Sequence, residues 1–454
     1  MDHWAWNAFF YHIYPLGLCG APKRNDFQSP AVNRLEQLYC WLDHIQDLGA
    51  NAIYLGPLFE SSAHGYDTVD YYHVDRRLGS NETLASLSAE IHRRGLRLVL
   101  DAVFNHVGRD FWAFYDLRRN GEHSAYRDWF HNLRFGGRSP YGDPFQYESW
   151  DGHYSLVKLN LQNPAVREHL FGAVRRWVEQ FGVDGLRLDA ADCIDLDFLA
   201  DLATYCRELR PDFWLMGEVV HGDYRRWASP QLLDSVTNYE SYKGLYSSHN
   251  DHNYFEIAYA LNRQFAEGGM YAHLPLYNFA DNHDVNRVAS VLTHQEHLYP
   301  LYALLFTMPG IPSIYYGSEW GLEGKRTPQD DSALRPALTP AQFEAVPSAW
   351  NLEDWIRRLA HIRRAVPALR YGGYCQLHVS SEELVFLREF QGRQALVAVN
   401  ASADPVKLSL DLSLSEDREM VDLLNPGDRY SVWGGRIVLE NVPPRGVRIL
   451  YTET

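Results

Sequence analysis

Cysteine is scarce. Five residues, Cys19, Cys40, Cys193, Cys206 and Cys375, are scattered over 454 positions, odd in number and without a CxxC pair. That argues against a disulfide framework or a cysteine zinc site, and reduced thiols fit a cytosolic enzyme. Positive charge is also short: 42 Lys and Arg against 58 Asp and Glu leave a formal net charge of −16. No basic face is on offer for a phosphate backbone, so nucleic acid is not an expected partner. No run of about 18 apolar residues occurs, and a membrane span is not expected. The start, MDHWAWNAFFYHIYPLG, lacks the basic stretch, apolar core and small-residue cleavage site of a signal peptide. A cytoplasmic location is the expectation. There is no P-loop, no Gly-x-Ser-x-Gly elbow, no dinucleotide fingerprint and no zinc-type His pair.

What the chain does have is aromatic residues, 13 Trp, 29 Tyr and 21 Phe, whose flat rings suit sugar faces as well as cores. It also has a rhythm. Continuous apolar runs, as expected of parallel strands covered on both faces, occur at 9–15, 51–57, 96–101, 184–189, 214–218, 234–239, 275–280 and 312–317. Amphipathic helical patterns lie between them, and three end at Gly49, Gly95 and Gly182, where a glycine can close a helix in the left-handed region. Eight β/α units predict a (β/α)8 TIM barrel rather than an open sheet.

One interval breaks the rhythm. The stretch from Asp101 to Asp189 is far longer than one helix needs, and residues 108–163 are rich in aromatic and turn residues. This reads as a subdomain inserted after strand three. Beyond the last helical pattern, YCQLHVSS, ELVFLREF, ALVAVNAS, VKLSLDLS, GRIVLEN and VRILYTE read as an antiparallel β-sandwich with turns between them. The expected division is a barrel over 1–107 and 164–371, an insert over 108–163 and a C-terminal domain over 372–454.

On a barrel, polar residues at the C-terminal ends of strands are functional candidates. Here they are dense: Asp101, Asn105 and His106 after strand three, Arg187 and Asp189 on strand four, Glu218 after strand five, and Asn282, His283 and Asp284 after strand seven. His64-Gly65-Tyr66-Asp67 follows strand two. Any one of these reads equally as a buried ion pair or a loop cap. Successive strand ends delivering carboxylates, Arg and His to one rim do not, because gathering like charges costs free energy. Paired carboxylates beside aromatic rings are what glycoside cleavage requires.

At this point a family resemblance appears. DAVFNHVG (101–108), GLRLDAAD (185–192), GEVV (217–220) and FADNHD (279–284) resemble, in order, the four signature regions of the alpha-amylase superfamily, glycoside hydrolase family thirteen. The resemblance implies a catalytic barrel, a domain B after strand three and a C-terminal β-sandwich. It implies that Asp189 is the nucleophile, Glu218 the general acid/base and Asp284 the third carboxylate, which binds and distorts the sugar. Arg187 would then pair with Asp189 and keep it ionised. His106 and His283 would hydrogen-bond sugar hydroxyls, and Tyr66 would stack on the same ring; His64 reads equally as a loop hydrogen-bond donor or as a sugar ligand. Asp331 and Arg335, in DDSALRP, match the family's Asp-x-x-x-Arg pair at the donor end.

FWAFYDLRRNGEHSAYRDWFH and VKLNLQNP are similar to the intracellular neopullulanase, cyclomaltodextrinase and maltogenic amylase group, which acts on cyclic, branched or short maltodextrins. The chain departs from that group in starting at the first barrel strand, without an N-terminal β-domain. It also lacks the Lys-His pair that follows the nucleophile in endo-acting amylases and contacts calcium. No cofactor is expected, calcium included. The expected activity is retaining hydrolysis of α-glucosidic bonds in short, branched or cyclic malto-oligosaccharides, by a monomer or homodimer. An endo-acting alpha-amylase and an α-glucan transglycosylase are the alternatives. A non-catalytic transport-partner barrel is a further reading, against which the retained carboxylates speak. Of the aromatic residues in 108–163, more than half are expected to form the insert's own core and the remainder to wall a short cleft.

Overall fold

The computed structural model describes residues 3–343, 351–412 and 418–452. The outermost residues of the expected barrel and C-terminal units, 1–2 and 453–454, lie outside this set, as does Ser413 at the end of VKLSLDLS.

Eight parallel strands form the central sheet: β1 Phe10–Ile13, β2 Ala52–Leu55, β3 Arg97–Ala102, β4 Gly185–Leu188, β5 Trp214–Gly217, β6 Ser235–Val236, β7 Tyr277–Phe279 and β8 Ile311–Tyr315. Their order is β6-β5-β4-β3-β2-β1-β8-β7, and a parallel bridge from Thr237 to Tyr277 closes the ring. This is the expected barrel. The helices sit where the apolar periodicity put them. Asn81–Arg93 starts on a Ser80 capping box, and Pro164–Phe181 starts on Asn163 and ends at Gly182 with φ 63°. Gly49 and Gly95 also have positive φ, 97° and 74°.

Strand alternation sorts the barrel interior by height. Phe10, Ala52, Val99, Trp214, Met216, Tyr277 and Ile311 form an apolar plug at the N-terminal end. The short helical turn Trp4–Asn7 seals it, with Trp4 edge-on to Trp214. Two residues beyond Val99 and Met216 come Asp101 and Glu218, with Arg187 on the strand between them. The polar site thus stands on a dry floor, where each large buried side chain stabilises the fold by roughly 1.5–3 kcal/mol.

Two excursions leave the barrel rim. After β2, a hairpin of Phe59–Ser61 and Thr68–Val74 carries His64 and Tyr66 in its loop. After β3, His106–Gly108 pairs antiparallel with His153–Lys158, which pairs in turn with Ser149–Trp150. Phe111, Phe114, Trp129, Phe130, Phe145 and Tyr147 are buried there, while Tyr115 and Tyr141 are exposed. Those two lie under Arg119 and Arg109 respectively. Among the aromatic residues of the insert, Trp150 is the one whose ring meets a named site residue, His106.

From Gly373 onward the strands are antiparallel: a six-stranded sheet with a separate ladder of Val406–Asp411 and Arg436–Val442. The ladder packs on one face through Leu408, Leu410, Ile437 and Leu439. The other face, with Leu384, Phe386, Val397, Val399 and Ile449, merges with the core of the barrel. Glu383–Phe390 and Arg393–Asn400 are thus covered on both sides, which is why they read as apolar runs rather than strict alternation.

Candidate active site

Parallel register sets the first contact. Arg187 lies directly across the ladder from Asp101 on one side and Met216 on the other, so its guanidinium sits between the ends of β3, β4 and β5. Nη1 donates to Asp101 Oδ1 and to Asp189 Oδ1, both at 2.9 Å, and Nη2 meets Glu218 Oε2 at 2.8 Å. The Ala190 backbone N–H donates to the same Glu218 oxygen at 3.1 Å. The other oxygen, Oε1, lies 3.5 Å from the Tyr239 hydroxyl, which accepts from Asn282. A planar fork can hold three carboxylates in fixed relation in a way that an ammonium cannot.

Asp284 is held from the opposite side, by His283 Nε2 at 2.9 Å and Arg335 Nη2 at 3.0 Å. Arg335 also pairs with Asp331 at 2.8 Å, donates from Nε to the His283 carbonyl, and lies over the Tyr14 ring at 4.5 Å. This approach is close enough to need glycine at position 17, since a Cβ there would stand 2.3 Å from the Arg335 carbonyl oxygen. The His283 ring is sandwiched between Tyr14 and Tyr66. Tyr66 is 9% exposed and its hydroxyl donates to Asp101 Oδ2 and contacts His283, so the stacking surface it offers a sugar is small. His106 is buried, and its Nε2 faces Asp189 Oδ2 at 3.7 Å without a hydrogen-bond partner.

The structure brings Asp189, Glu218, Asp284, Tyr66, His106, Arg187, His283 and Arg335 together. Asp331 and His64 lie further out, with Tyr14, Arg335, Gly17 and Lys23 around a pocket of about 400 Å³ that continues the cleft. Sequence reasoning placed Asp101 at a strand end without giving it a role, and left Tyr14, Tyr54 and Tyr239 out of the site. Tyr54 donates to Asp101 Oδ2 at 2.7 Å. Among the described residues no group of three His, Cys, Asp or Glu side chains is arranged to hold a metal ion.

Charge in this site is unevenly stabilised. Burial pushes Asp189 well above the usual carboxylate range; Arg187 opposes this, while Glu218, Asp101 and Asp284 add like charge. Arg187 touches Asp189 as expected and is the cation that favours its charged form, shared with Asp101 and Glu218. Asp284 goes the other way. Burial would raise it, but His283, Arg335 and Arg187 together outweigh burial and hold it low. Burial pushes His106 down to about 3, so it faces the cleft as a neutral ring.

Comparison with known proteins agrees with this geometry. The family described as alpha amylase, catalytic domain, matches residues 35–345. A cyclomaltodextrinase of a Bacillus species is 31% identical over 420 residues, which cover 87% of this chain and 73% of that one. The intracellular maltogenic amylase of Bacillus subtilis strain 168 is 32% identical over 401 residues, 85% of this chain and 66% of that one. Among solved structures, the ligand-free cyclic alpha-maltosyl-(1→6)-maltose hydrolase from Arthrobacter globiformis superposes with a TM-score of 0.80 at 29% identity, covering 100% of both chains. The chain belongs to the alpha-amylase family.

Proposed function

We propose that this protein is a retaining hydrolase of α-glucosidic bonds in short or cyclic malto-oligosaccharides, acting in the cytoplasm. One observation carries the reading: a single guanidinium, Arg187, holds Asp189 and Glu218 from adjacent strand ends at 2.9 and 2.8 Å. Two carboxyl groups fixed this way suit double displacement, in which they stand about 5–5.5 Å apart because no water has to fit between them.

In the first step Asp189 attacks the anomeric carbon while Glu218 gives its proton to the glycosidic oxygen, and the leaving sugar departs. With Oε2 engaged by Arg187 and the Ala190 N–H, the proton sits on Oε1, toward Tyr239. In the second step Glu218 takes a proton from water, the water oxygen bonds to the anomeric carbon, and the ester to Asp189 breaks. Asp284, kept charged by His283 and Arg335, binds hydroxyls of the reacting sugar. His106 Nε2 offers a further hydrogen bond beside Asp189. Relatives named cyclomaltodextrinase and maltogenic amylase and the pocket of about 400 Å³ at the donor end support a preference for short or cyclic chains over long polymer.

Asp189→Asn and Glu218→Gln are each expected to lower turnover of maltotriose or a cyclodextrin by a factor of about 10³ or more. NMR of the first-formed product should show the α-anomer. Activity within tenfold of the parent, or a β-product, would overturn the reading. Random internal cleavage of amylose, at an efficiency equal to that on short substrates, would favour the endo-acting alternative.

A further inference from the structure

We propose that Arg287 is a positioning residue for this reaction, fixing from below the segment that carries Arg335 and thereby the grip of Arg335 on Asp284. The inference rests on the proposed double displacement and adds a residue that touches no substrate.

Arg287 follows Asp284 by three positions in the chain, yet it is fully buried. Its Nη1 donates to the Tyr316 carbonyl at 2.6 Å and to the Ser318 hydroxyl at 3.1 Å, and Nη2 donates to the Leu334 carbonyl at 2.8 Å. The guanidinium lies over the Tyr315 ring at 4.0 Å, and the hydroxyl of that ring donates to the same Leu334 carbonyl at 3.0 Å. The Tyr316 hydroxyl donates to the Pro336 carbonyl at 2.9 Å. The carbonyls on either side of Arg335 are thus both held, by three donors from the end of β8 and the loop after β7.

The loop that brings Asp284 is pinned to the same place. Asp281 accepts from the Val288 N–H and from the Ser318 hydroxyl, each at 2.9 Å, which ties the two ends of 281–288 together and to the residues after β8. Within the loop, Asn282 Oδ1 accepts from the Asp284 N–H at 2.8 Å. The Arg287 N–H donates to the Gly324 carbonyl at 3.0 Å. Glycine is required at 324, because a Cβ there would stand 2.3 Å from the Ala333 carbonyl oxygen and 3.1 Å from Arg287 Cγ. The segment entering Leu334 therefore packs directly on the chain that grips Arg287.

Burying a guanidinium costs desolvation free energy that an apolar side chain of similar volume would avoid. What the guanidinium supplies is direction, since a planar fork sets the angle at which each carbonyl meets it. Direction matters one residue further on. The single guanidinium of Arg335 meets Asp284 at 3.0 Å, Asp331 at 2.8 Å and the His283 carbonyl at 3.0 Å. Moving its backbone by about 1 Å takes at least one of these contacts beyond hydrogen-bond length. Misplacement on that scale lowers a rate by a factor of about 10². Arg287 acts on the reaction through Leu334 and Arg335, without reaching the cleft.

The test is a double-mutant cycle on kcat/KM for maltotriose, measured per folded enzyme and below the Tm of every variant. Arg287→Met removes the donors at similar volume. Tyr315→Phe removes one donor to Leu334, keeps the ring, and carries the test where the first variant does not fold. With Arg335 present, Arg287→Met is expected to lower kcat/KM by about tenfold or more and Tyr315→Phe by about threefold. In an Arg335→Ala background, itself well below the parent, each should change kcat/KM by less than about twofold, because the residue through which they act is gone. Losses of equal size in both backgrounds overturn the proposal, and so does a lower Tm with parental kcat/KM when Arg335 is present; either makes Arg287 a packing residue. Parental turnover by Asp189→Asn would instead overturn the proposed reaction, so the two failures are distinguishable.

Discussion

Asp189 is a residue whose role and stability conflict. Its carboxyl is pushed upward by burial and by like charge, so the unfolded chain gives up this proton at lower pH than the folded one does. Stability from this group is present below the unfolded value, about 3.9, and is lost as pH rises toward the folded one. Asp189→Asn removes that dependence. The inactive variant is expected to unfold at the same temperature as the parent or about 2 °C higher at pH 7, with the difference shrinking toward pH 4. Differential scanning calorimetry at both pH values checks this, and a lower Tm for the variant at pH 7 would contradict it. Residues of this kind were legible because the signature stretches are local: Arg187 and Asp189 share one strand face at a spacing of two. Tyr14, Tyr54 and Tyr239 were not. A tyrosine in or beside an apolar strand reads as core, and Tyr54 becomes a partner of Asp101 only once the ladder sets β2 beside β3.

At the scale of elements, the eight barrel strands were readable as apolar runs, but the joint between barrel and C-terminal sheet was not. Two buried arginines form it. Arg388, on a strand of the sheet, donates to the carbonyls of Thr307, Leu369, Gly372 and Gly373. Arg363, in helix Leu352–Ala365, donates to those of Phe306, Leu369 and Gly310. Each guanidinium thus ties up carbonyls at the ends of helices Leu298–Thr307 and Pro367–Tyr371, groups that helix geometry leaves without partners. In LEDWIRRLAHIRRA nothing marks Arg363 as different from the other arginines, because its partners come from segments distant in sequence. Arg388→Met keeps the length of the side chain and removes a donor from four carbonyls, of which that of Leu369 retains Arg363. The expected cost is about 2–4 kcal/mol, read as a lower urea midpoint. An unchanged midpoint would mean that water substitutes for the guanidinium. The hairpin that carries Tyr66 also escaped the sequence reading. HGYD looks like plain loop, and the alternation in Thr68–Val74 is short.

Across the whole molecule, net charge gives no hint of how the protein responds to acid, because the response lies in buried histidines. The buried His249 and His297 gather with the exposed His252 and His294 where the barrel meets the C-terminal sheet, with neighbouring ring centroids 5.3–6.2 Å apart. Both nitrogens of His249 are engaged, with the Leu245 carbonyl at 2.6 Å and the Tyr254 hydroxyl at 2.8 Å. His297 bonds the Ala401 carbonyl across the seam and has its other nitrogen buried without a partner. His252 pairs with Glu382, and Arg445 adds positive charge beside His297. Burial pushes His249 down to about 3 and lowers His297, as it does His106 and His12 in the barrel. The unfolded chain binds protons at these sites below its ordinary histidine value of about 6.5, and the folded chain does not. Stability is therefore lost as pH falls through that value, by up to about 1.4 kcal/mol per pH unit for each histidine still neutral. Protonation in the seam also sets cations against one another at the face that joins the two parts. We expect Tm to be level from pH 8 to 7 and to fall steeply between pH 6.5 and 4.5. His249→Gln, which can accept from Tyr254 but cannot be protonated, should flatten that slope even if it lowers Tm at pH 7. Parallel Tm curves for parent and variant across this range would show that the seam is not where the acid sensitivity resides.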